Sequence, residues 1–217
     1  MRVVIAGGHG QIAVRLTKLL SGDGHEVVGL VRNPDHEADL AAAGGRAAVL
    51  DLEQADVAAV AGVLSGADVA IFAAGAGPGS GKARKDTVDR AAAALFADAA
   101  EQAGVRRHLQ VGSMGADRAD SLDDDDIFTV YLKAKWAAEE DLRSRDGLDW
   151  TILRPGGLTN DPGTGEVLLA DKTGNGRISR DDVALVLAGL CDTPAAIGRT
   201  LELVAGDTPV SEALKNL

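Results

Sequence analysis

The sequence predicts an α/β protein in which a doubly wound parallel sheet lies between two layers of helices, giving three layers. Short runs of apolar, often β-branched residues alternate with alanine-rich stretches along most of the chain. These runs are apolar almost without interruption, which is typical of parallel strands buried on both faces. A glycine-rich turn at residues 7–13 follows the first run directly and leads into the first helical stretch. Together these observations predict the fold class.

The predicted elements follow one another as strand, helix, strand. The first strand is predicted at 2–6, with a helix at 10–20, and the second strand is predicted at 26–31. Pro34 favours the first turn of a helix and sets the start of the one predicted to end near residue 43. Gly104 and Gly147 mark helix ends, because glycine accepts the left-handed backbone found there. The remaining strands are predicted at 47–50, 69–73, 108–111, 150–153 and 201–204, and the remaining helices at 54–64, 86–103, 130–145 and from 179.

Length and composition limit the classes of protein. A chain of 217 residues suits one domain over 1–217, and we expect residues 155–217 to form a small cap over the carboxyl edge of the sheet. The net charge of −11 argues against a nucleic-acid partner, which needs clustered Lys and Arg. The single cysteine, Cys191, cannot form an intrachain disulfide and is predicted to lie in the core. Without a secretory signal or an apolar stretch of roughly 20 residues, we expect a cytoplasmic monomer or homodimer that does not enter membranes.

The glycine turn predicts a dinucleotide site of the Rossmann type. It has the form Gly7-x-x-Gly10-x-x-Ala13, placed between a strand and a helix. The first glycine permits the tight turn, the second lets the backbone approach a pyrophosphate, and the small third residue lets helix and strand pack closely. Amides at the helix N-terminus then hold the phosphates. The alternative is an ordinary strand–turn–helix. His9 is expected to lie beside the cofactor phosphates and to take no part in catalysis. The residues predicted to contact the cofactor here are Gly7, His9, Gly10, Gln11 and Ile12.

The end of the second strand favours NADP(H) over NAD(H). Sites that prefer NAD(H) place an acidic side chain there to bind the ribose hydroxyls. This strand is followed by Arg32, whose guanidinium could pair with a 2′-phosphate. Glu26 lies at the opposite end of the strand, and Asp35 follows Pro34, where it is expected to start a helix. The alternative for Arg32 is an ordinary surface arginine.

A tyrosine and a lysine predict half of a redox site. Tyr131 is the only tyrosine, and Lys135 follows it by four residues, so both lie on one face of the predicted helix. Ser113 follows the fifth strand and should lie at the same carboxyl edge of the sheet, where ligands bind in such folds. The alternative is a half-buried tyrosine beside a solvated lysine.

At this point the sequence resembles the short-chain dehydrogenase/reductase superfamily. It is similar to the atypical NAD(P)H-binding branch that is related to epimerase/dehydratase-like and NmrA-like proteins. The resemblance covers essentially the whole chain. Its markers are GGHGQIA from Gly7, VRNP from Val31, the pair Asp51-Leu52, FAAGAGPGSGK from Phe72, YLKAK from Tyr131 and ILRPGGLTNDPGTG from Ile152.

The resemblance implies a role for each matching residue. Tyr131 would exchange a proton with a carbonyl or hydroxyl oxygen, Lys135 would bind the nicotinamide ribose and favour the tyrosinate, and Ser113 would orient the substrate oxygen. The chain departs from the usual pattern, because Gly112 and Met114 flank Ser113 in place of a Ser-Ser pair. Contacts to adenine, to the ribose side and to the nicotinamide are implied for Asp51 and Leu52, for Ala73, Ala74 and Gly75, and for Pro155 and Gly156, respectively.

Three functions follow, in order of preference. The first is an NADP(H)-dependent oxidoreductase that transfers hydride to a small carbonyl, quinone or flavin-like acceptor. The second is a non-catalytic, NmrA-like protein that senses NADP(H). The third is an NAD-dependent epimerase/dehydratase-like enzyme, although such enzymes normally use a larger C-terminal domain to hold a nucleotide sugar. The sequence does not identify the substrate.

Other patterns have ordinary explanations. Residues 171–182 resemble a calcium loop, but Ser179-x-x-Asp182 is also typical of a helix start, so no metal site is predicted. The acidic run 117–126 is predicted to be a solvated loop that could act as a lid. The basic group Lys82, Arg84 and Lys85 is interpreted as a solvated loop, with attraction of an anion as the alternative. Met114, Phe128 and Leu158 suggest a partly apolar pocket, but core packing would explain them equally.

Overall fold

The computed structural model describes residues 1–77, 79–121 and 126–217, apart from the side chains of 120 and 121. Its strands are β1 (Arg2–Ala6), β2 (Glu26–Val31), β3 (Arg46–Val49), β4 (Val69–Phe72), β5 (Arg107–Val111), β6 (Asp149–Pro155), β7 (Gly157–Thr159), β8 (Glu166–Ala170), β9 (Arg177–Ser179), β10 (Arg199–Ala205) and β11 (Thr208–Pro209). Its α-helices are α1 (Gln11–Gly22), α2 (Glu37–Ala42), α3 (Val57–Leu64), α4 (Lys82–Arg84), α5 (Ala92–Ala103), α6 (Ile127–Arg143), α7 (Arg180–Leu190) and α8 (Val210–Lys215). A π-helical segment, Lys85–Ala91, joins α4 to α5.

The main sheet is parallel except at one edge. Its strand order is β11-β8-β10-β6-β5-β4-β1-β2-β3, and only β8 runs antiparallel to its neighbours β10 and β11. The order reverses direction between β1 and β4, so the connections leave these two strands towards opposite sides. Ala6 of β1 is level with Leu30 of β2 and Phe72 of β4, so the three carboxyl ends meet at one place. Ligands bind in the crevice at such a switch point.

Helices cover both faces of the sheet because the strands are apolar on both. In β1, Val3 and Ile5 pack in a cluster with α1 and α7, whereas Val4 and Ala6 pack in a second cluster with α3 and α5. All four β1 residues are completely buried. The alternation of side chains along a strand therefore divides one apolar run between two cores. The predicted three-layer fold is confirmed.

The structure extends the prediction in the C-terminal quarter. Here β8, β10 and β11 lengthen the main sheet, and only β7 and β9 form a separate two-stranded sheet. Residues 155–217 therefore supply three strands of the main sheet and the helices α7 and α8 as well as the small β7–β9 sheet, and the cap over the carboxyl edge stays a prediction. The short strands were not predicted, because the glycine and aspartate residues between them interrupt the apolar runs from which strands are recognised. The helix predicted from residue 86 begins earlier, at Lys82, and contains the π-helical segment.

A buried ion pair fixes α6 against the sheet. Glu139 of α6 is fully buried, and its Oε2 accepts hydrogen bonds from Nε (3.0 Å) and Nη2 (2.5 Å) of Arg154 on β6. Burial alone would lower the pKa of Arg154, but the hydrogen bonds and charge of Glu139 raise it above its ordinary value. A Cβ on Gly112 would lie 2.3 Å from Glu139 Oε1, so a side chain there would displace the pair. This contact sets the position of the helix that carries Tyr131 and Lys135.

Two further features bear on predictions from the sequence. Cys191 is buried at the end of α7, its thiol donates a hydrogen bond to the carbonyl of Leu187 (3.3 Å), and burial raises its pKa to about 12. The interpretation of Cys191 as a core residue is confirmed. None of the described helices is both long and apolar enough to cross a membrane.

We expect His108 to make the protein sensitive to acid. It is fully buried in β5, and neither ring nitrogen has a hydrogen-bond partner among the described residues. Burial, together with the charges of Arg145 and Arg107, lowers its pKa from 6.5 to about 3. Below about pH 6.5, His108 is therefore protonated in the unfolded chain but stays neutral in the folded chain. The free energy of unfolding should consequently fall by about 2 kcal/mol as the pH is lowered from about 7 to 5.

Urea unfolding of wild type and His108→Phe at the two pH values measures this effect. The substitution should remove about 2 kcal/mol of the pH dependence, whatever it does to stability at neutral pH. Exchange of the more exposed His25 for glutamine serves as the matched control and should leave the dependence in place. An equal pH dependence in wild type and His108→Phe would contradict the prediction.

Candidate functional site

The glycine turn is built for close approach of the backbone. Gly7 has φ +76°, and a Cβ there would lie 2.6 Å from Cα of Ala74. A Cβ on Gly8 would lie 2.6 Å from Cα of Gly29 in β2. Gly10 caps α1 without a side-chain hydrogen bond to the first amides of the helix. These amides are thus left for a ligand, and the cradle fits the pyrophosphate of a dinucleotide.

A first cleft, of about 280 Å³, opens beside the glycine turn at the ends of β1 and β2. It holds nine of the predicted cofactor residues, while Leu30, His36 and Glu53 are among the lining residues that the sequence did not suggest, and Arg84 lines it as well. The nine are Gly7, His9, Gly10, Arg32, Asp51, Leu52, Ala73, Ala74 and Gly75.

Two arginines share one carboxylate at this cleft. Glu53 Oε2 accepts a hydrogen bond from Arg84 Nη2 (2.7 Å) and lies 3.6 Å from Arg32 Nη1, and Glu53 Oε1 accepts one from Thr87 (2.7 Å). The hydrogen bonds from Arg84 and Thr87 lower the pKa of Glu53. The carboxylate is therefore ionised and occupied, and the exposed guanidinium of Arg32 keeps donors for another anion. Placing Arg84 in a solvated loop was wrong, since it contributes to the wall of the cleft.

Two histidines that line the first cleft, His9 and His36, stack on each other. The ring of His9 stacks on that of His36 at 3.6 Å between centroids, and His9 Nε2 lies 2.7 Å from Asp39 Oδ2. His36 ends a short 3₁₀ turn that Pro34 begins, and the side chain of Asn33 accepts a hydrogen bond from the Asp35 amide. The expected role of Asp35 at a helix start is confirmed.

A second cleft, of about 540 Å³, continues from the first past the shared residues Gly10 and 73–76. It lies at the carboxyl ends of β4, β5 and β6 and is covered by the start of α6. The remaining predicted site residues all line it: Gln11, Ile12, Ser113, Tyr131, Lys135, Pro155 and Gly156. All predicted site residues thus line one continuous groove.

Lys135 is buried among oxygens at the floor of the second cleft. Its Nζ lies 3.3 Å from the carbonyl oxygens of Ala74 and Val111 and 3.3 Å from Asp89 Oδ1. Asp89 is fully buried, and its Oδ2 accepts a hydrogen bond from the Ala76 amide (3.2 Å). The distances from Nζ are long for hydrogen bonds, so the ammonium can exchange one of these partners for a ligand hydroxyl. The interpretation of Lys135 as a solvated lysine is excluded by this burial.

Two ammonium groups lie near the ring of Tyr131. The Nζ atom of Lys85 is 5.4 Å from the centre of its ring, and that of Lys135 is 5.9 Å away. The ring of Phe128 stacks against it at 5.9 Å. Lys85 is itself buried and donates a hydrogen bond to the carbonyl of Gly77 (3.0 Å). The prediction that Lys85 belongs to a solvated loop was wrong, because this residue is buried at the start of the π-helical segment.

Ser113, Pro155 and Gly156 form the far wall. Ser113 Oγ makes a 3.4 Å hydrogen bond to the carbonyl of Met114, and the Met114 amide makes one of the same length to the Pro155 carbonyl. A Cβ on Gly156 would lie 2.4 Å from the carbonyl oxygen of Gly176, so contact within the fold by itself requires glycine there. Phe128 and Leu158 line the cleft and are partly exposed, which supports the apolar pocket over core packing for these two residues, whereas Met114 is not among the residues that line either cleft.

The calcium-like loop has a structural role. Asp182 accepts hydrogen bonds from the amides of Thr164 (3.1 Å) and Gly165 (2.8 Å), and its own amide donates to Ser179 Oγ (2.9 Å). The helix-start prediction for Ser179 is confirmed. Within the described residues no three His, Cys, Asp or Glu side chains are placed to hold a metal ion. Of the acidic run 117–126, residues 117–121 belong to a 3₁₀ helix that begins at Ala116, Asp126 caps α6, and residues 122–125 lie outside the described residues.

Comparison with known proteins decides the family. The profile of the NAD(P)H-binding family matches residues 7–194, which include the glycine turn and both clefts. The chain belongs to this family. The sequence resemblance to epimerase/dehydratase-like proteins is confirmed by the relatives.

Three relatives show how far the similarity extends. YhfK of Bacillus subtilis, named an uncharacterized sugar epimerase, is 37% identical over 218 residues, with 100% of both chains covered. A structure from Bacillus halodurans, provisionally named an NAD-dependent epimerase/dehydratase, has a TM-score of 0.91 at 33% identity and covers 100% of both chains. ChuY, an anaerobillin reductase from Escherichia coli O157:H7, has a TM-score of 0.78 at 25% identity, covering 95% of this chain and 98% of that chain.

Proposed function

We propose that this protein is an NADP(H)-dependent oxidoreductase that passes hydride to a small carbonyl, quinone or flavin-like acceptor. The observation that carries the proposal is the position of Tyr131 and Lys135. They line the same groove as the glycine turn, with the lysine buried at the floor and the tyrosine facing a cleft large enough for a second molecule. The naming of one similar structure as a reductase supports it.

Bound NADPH would supply the hydride, and the side chains would hold and protonate the acceptor. The amides of Gln11 and Ile12 bind the pyrophosphate at the start of α1. The ammonium of Lys135 binds the nicotinamide ribose, for which it exchanges one of its long contacts. Tyr131 donates its phenolic proton to the acceptor oxygen, and Ser113 Oγ orients that oxygen. Asp51 and Leu52 contact the adenine, Ala73, Ala74 and Gly75 the ribose side, and Pro155 and Gly156 the nicotinamide.

Preference for NADP(H) over NAD(H) rests on Arg32. No acidic residue stands directly at the end of β2, and the nearby Glu53 is engaged by Arg84 and Thr87. The free donors of Arg32 therefore face the cleft as a partner for a 2′-phosphate.

Two other functions have support of their own. A sensor of NADP(H) is favoured by Ser113, whose hydroxyl is turned to a main-chain carbonyl, and by Asp89, which already neutralises Lys135. Epimerase or dehydratase chemistry is favoured by the names of two relatives. Proteins with either of these functions also bind a nicotinamide dinucleotide in such a groove, so binding of a cofactor of this class does not by itself separate them from a reductase.

Oxidation of NADPH over a panel of quinones, flavins and aldehydes tests the proposal. A reductase consumes NADPH in proportion to at least one acceptor. If no acceptor is reduced while NADPH binds and a protein partner responds to the NADPH/NADP⁺ ratio, the sensor is correct. If a nucleotide sugar is converted without net consumption of the cofactor, the epimerase is correct.

A further inference from the structure

Among the described residues, the second cleft carries positive charge that is only partly neutralised. Its described lining includes Lys85, Lys135 and Arg180, whereas the one carboxylate in that lining, Asp89, is already paired with Lys135. This is unusual for a chain with 22 basic and 33 acidic residues. Arginines elsewhere are held by carboxylates: Arg145 by Asp98, Glu101 and Asp141, for example.

We propose that the cleft selects an acceptor bearing a carboxylate or similar anionic group on an apolar body, with Lys85 and Arg180 binding the anionic group. That the bound molecule is a hydride acceptor rests on the proposed reductase function. The preference for an anionic ligand can be measured without any turnover. It adds a substrate class and two specificity-determining residues to the site.

Lys85 is the first of the two residues proposed to bind the anionic group. Only 7% of the residue is exposed, yet it lines the cleft, and its ammonium contacts the carbonyl of Gly77 and the face of the Tyr131 ring. Among the described residues no carboxylate oxygen lies within 4.0 Å of its Nζ. A nearly buried ammonium without a counter-ion is costly, and an anionic ligand would remove that cost. Its contact with Tyr131 places the anion beside the proposed proton donor.

Arg180 is the second residue proposed to bind the anionic group. It lies at the start of α7, lines the same cleft and is half-buried. Its Nη1 donates to the side-chain oxygen of Asn160 (2.9 Å), and in the described part of the chain no carboxylate pairs with it. The neighbouring Asp181 is taken up by Arg15 (2.6 Å). A guanidinium bound only by an amide keeps donors for a planar anion.

Apolar side chains complete the recognition surface. Ile127, Phe128 and Leu158 are 50%, 56% and 36% exposed and all line the cleft. Exposed large apolar residues gathered at one pocket mark a surface that a ligand covers. An apolar body would contact these three residues, while the anionic group meets the two cations.

Calorimetric titration with a matched pair of unreactive probes tests this proposal. The probes are naphthalene-2-carboxylate and naphthalene-2-carboxamide, titrated into the full chain saturated with NADP⁺. The wild type should bind the carboxylate at least about 10-fold more tightly than the amide. Lys85→Gln and Arg180→Gln should each reduce this preference several-fold and leave binding of the amide unchanged. Lys18→Gln, which removes an exposed charge from α1 outside the clefts, is the matched control and should keep the full preference.

The outcomes separate this inference from the proposed function. Equal binding of the two probes by wild type, or an undiminished preference in both variants, overturns the inference. Weaker NADP⁺ binding by Arg180→Gln with an intact carboxylate preference assigns that cation to the cofactor and overturns its role here. If Lys85→Gln fails to fold by circular dichroism, Arg180→Gln decides. A carboxylate preference without any NADPH oxidation across the acceptor panel supports the inference and refutes the reductase.

Discussion

Tyr131→Phe is expected to lower the rate of NADPH oxidation with the best acceptor by about 10²–10⁴-fold, the contribution typical of a positioned general acid. The substitution removes one oxygen and keeps the ring that packs on Phe128 near the ammonium groups of Lys85 and Lys135. Binding of NADPH should therefore change by no more than about 2-fold. Steady-state kinetics and a fluorescence titration of NADPH measure the two quantities.

The two readouts must be compared in the same preparation. A loss of turnover with intact cofactor binding assigns the proton transfer to Tyr131. An unchanged rate would contradict this role and would point to direct hydride transfer without a tyrosine acid. A parallel loss of cofactor binding would mean that the hydroxyl supports the cleft and would also contradict the assigned role.

Arg32→Ala is expected to weaken NADPH binding by about 10- to 100-fold, the range for losing a charge-assisted hydrogen bond, and to leave NADH binding nearly unchanged. The side chain is exposed beside the first cleft and lies 3.6 Å from Glu53, which has a shorter contact with Arg84. Its loss therefore removes a partner of the 2′-phosphate and little of the fold. Titration of both reduced cofactors into wild type and variant measures the change.

Arg46→Gln is the matched control for this prediction. Arg46 is an exposed arginine at the start of β3, paired with Glu26 at the end of β2 that is remote from the cleft. Its removal changes the net charge equally and should leave both affinities unchanged. Tighter binding of NADH than NADPH by wild type would refute the preference, and an equal loss for both cofactors in Arg32→Ala would refute the role of Arg32.

The parts of the site that sequence could predict depend on local rules. Gly7 needs left-handed backbone, and Gly10 starts a helix, so a strand–turn–helix with glycine at these places is recognisable in one dimension. Tyr131 and Lys135 are four residues apart on one helix, which places them on the same face wherever the helix packs. Strand order then brings the carboxyl ends of β1, β4 and β5 to one edge.

The parts that sequence could not predict depend on burial of charge. Arg84 and Lys85 follow a glycine-rich stretch and are typical of a solvated loop. In the structure Arg84 donates a hydrogen bond to Glu53, which is 31 positions away in the chain. The ammonium of Lys85 lies 5.4 Å from the ring centre of Tyr131, a residue even more distant in the chain. Asp89 is likewise buried against Lys135 of a different helix. No local pattern encodes a partner so distant in the chain.

The glycine turn, the apolar strands and the Tyr131–Lys135 spacing are properties of short segments, so the sequence by itself determined the fold class, the class of cofactor and the edge of the sheet that carries the site. Only the tertiary structure decided which charges remain for a ligand. Carboxylates from other elements occupy most arginines, Asp89 occupies Lys135, and Lys85 and Arg180 are left facing the second cleft. The physical reason is that the charge left for a ligand depends on which counter-ions packing supplies to each side chain, and packing joins residues that are far apart in the chain.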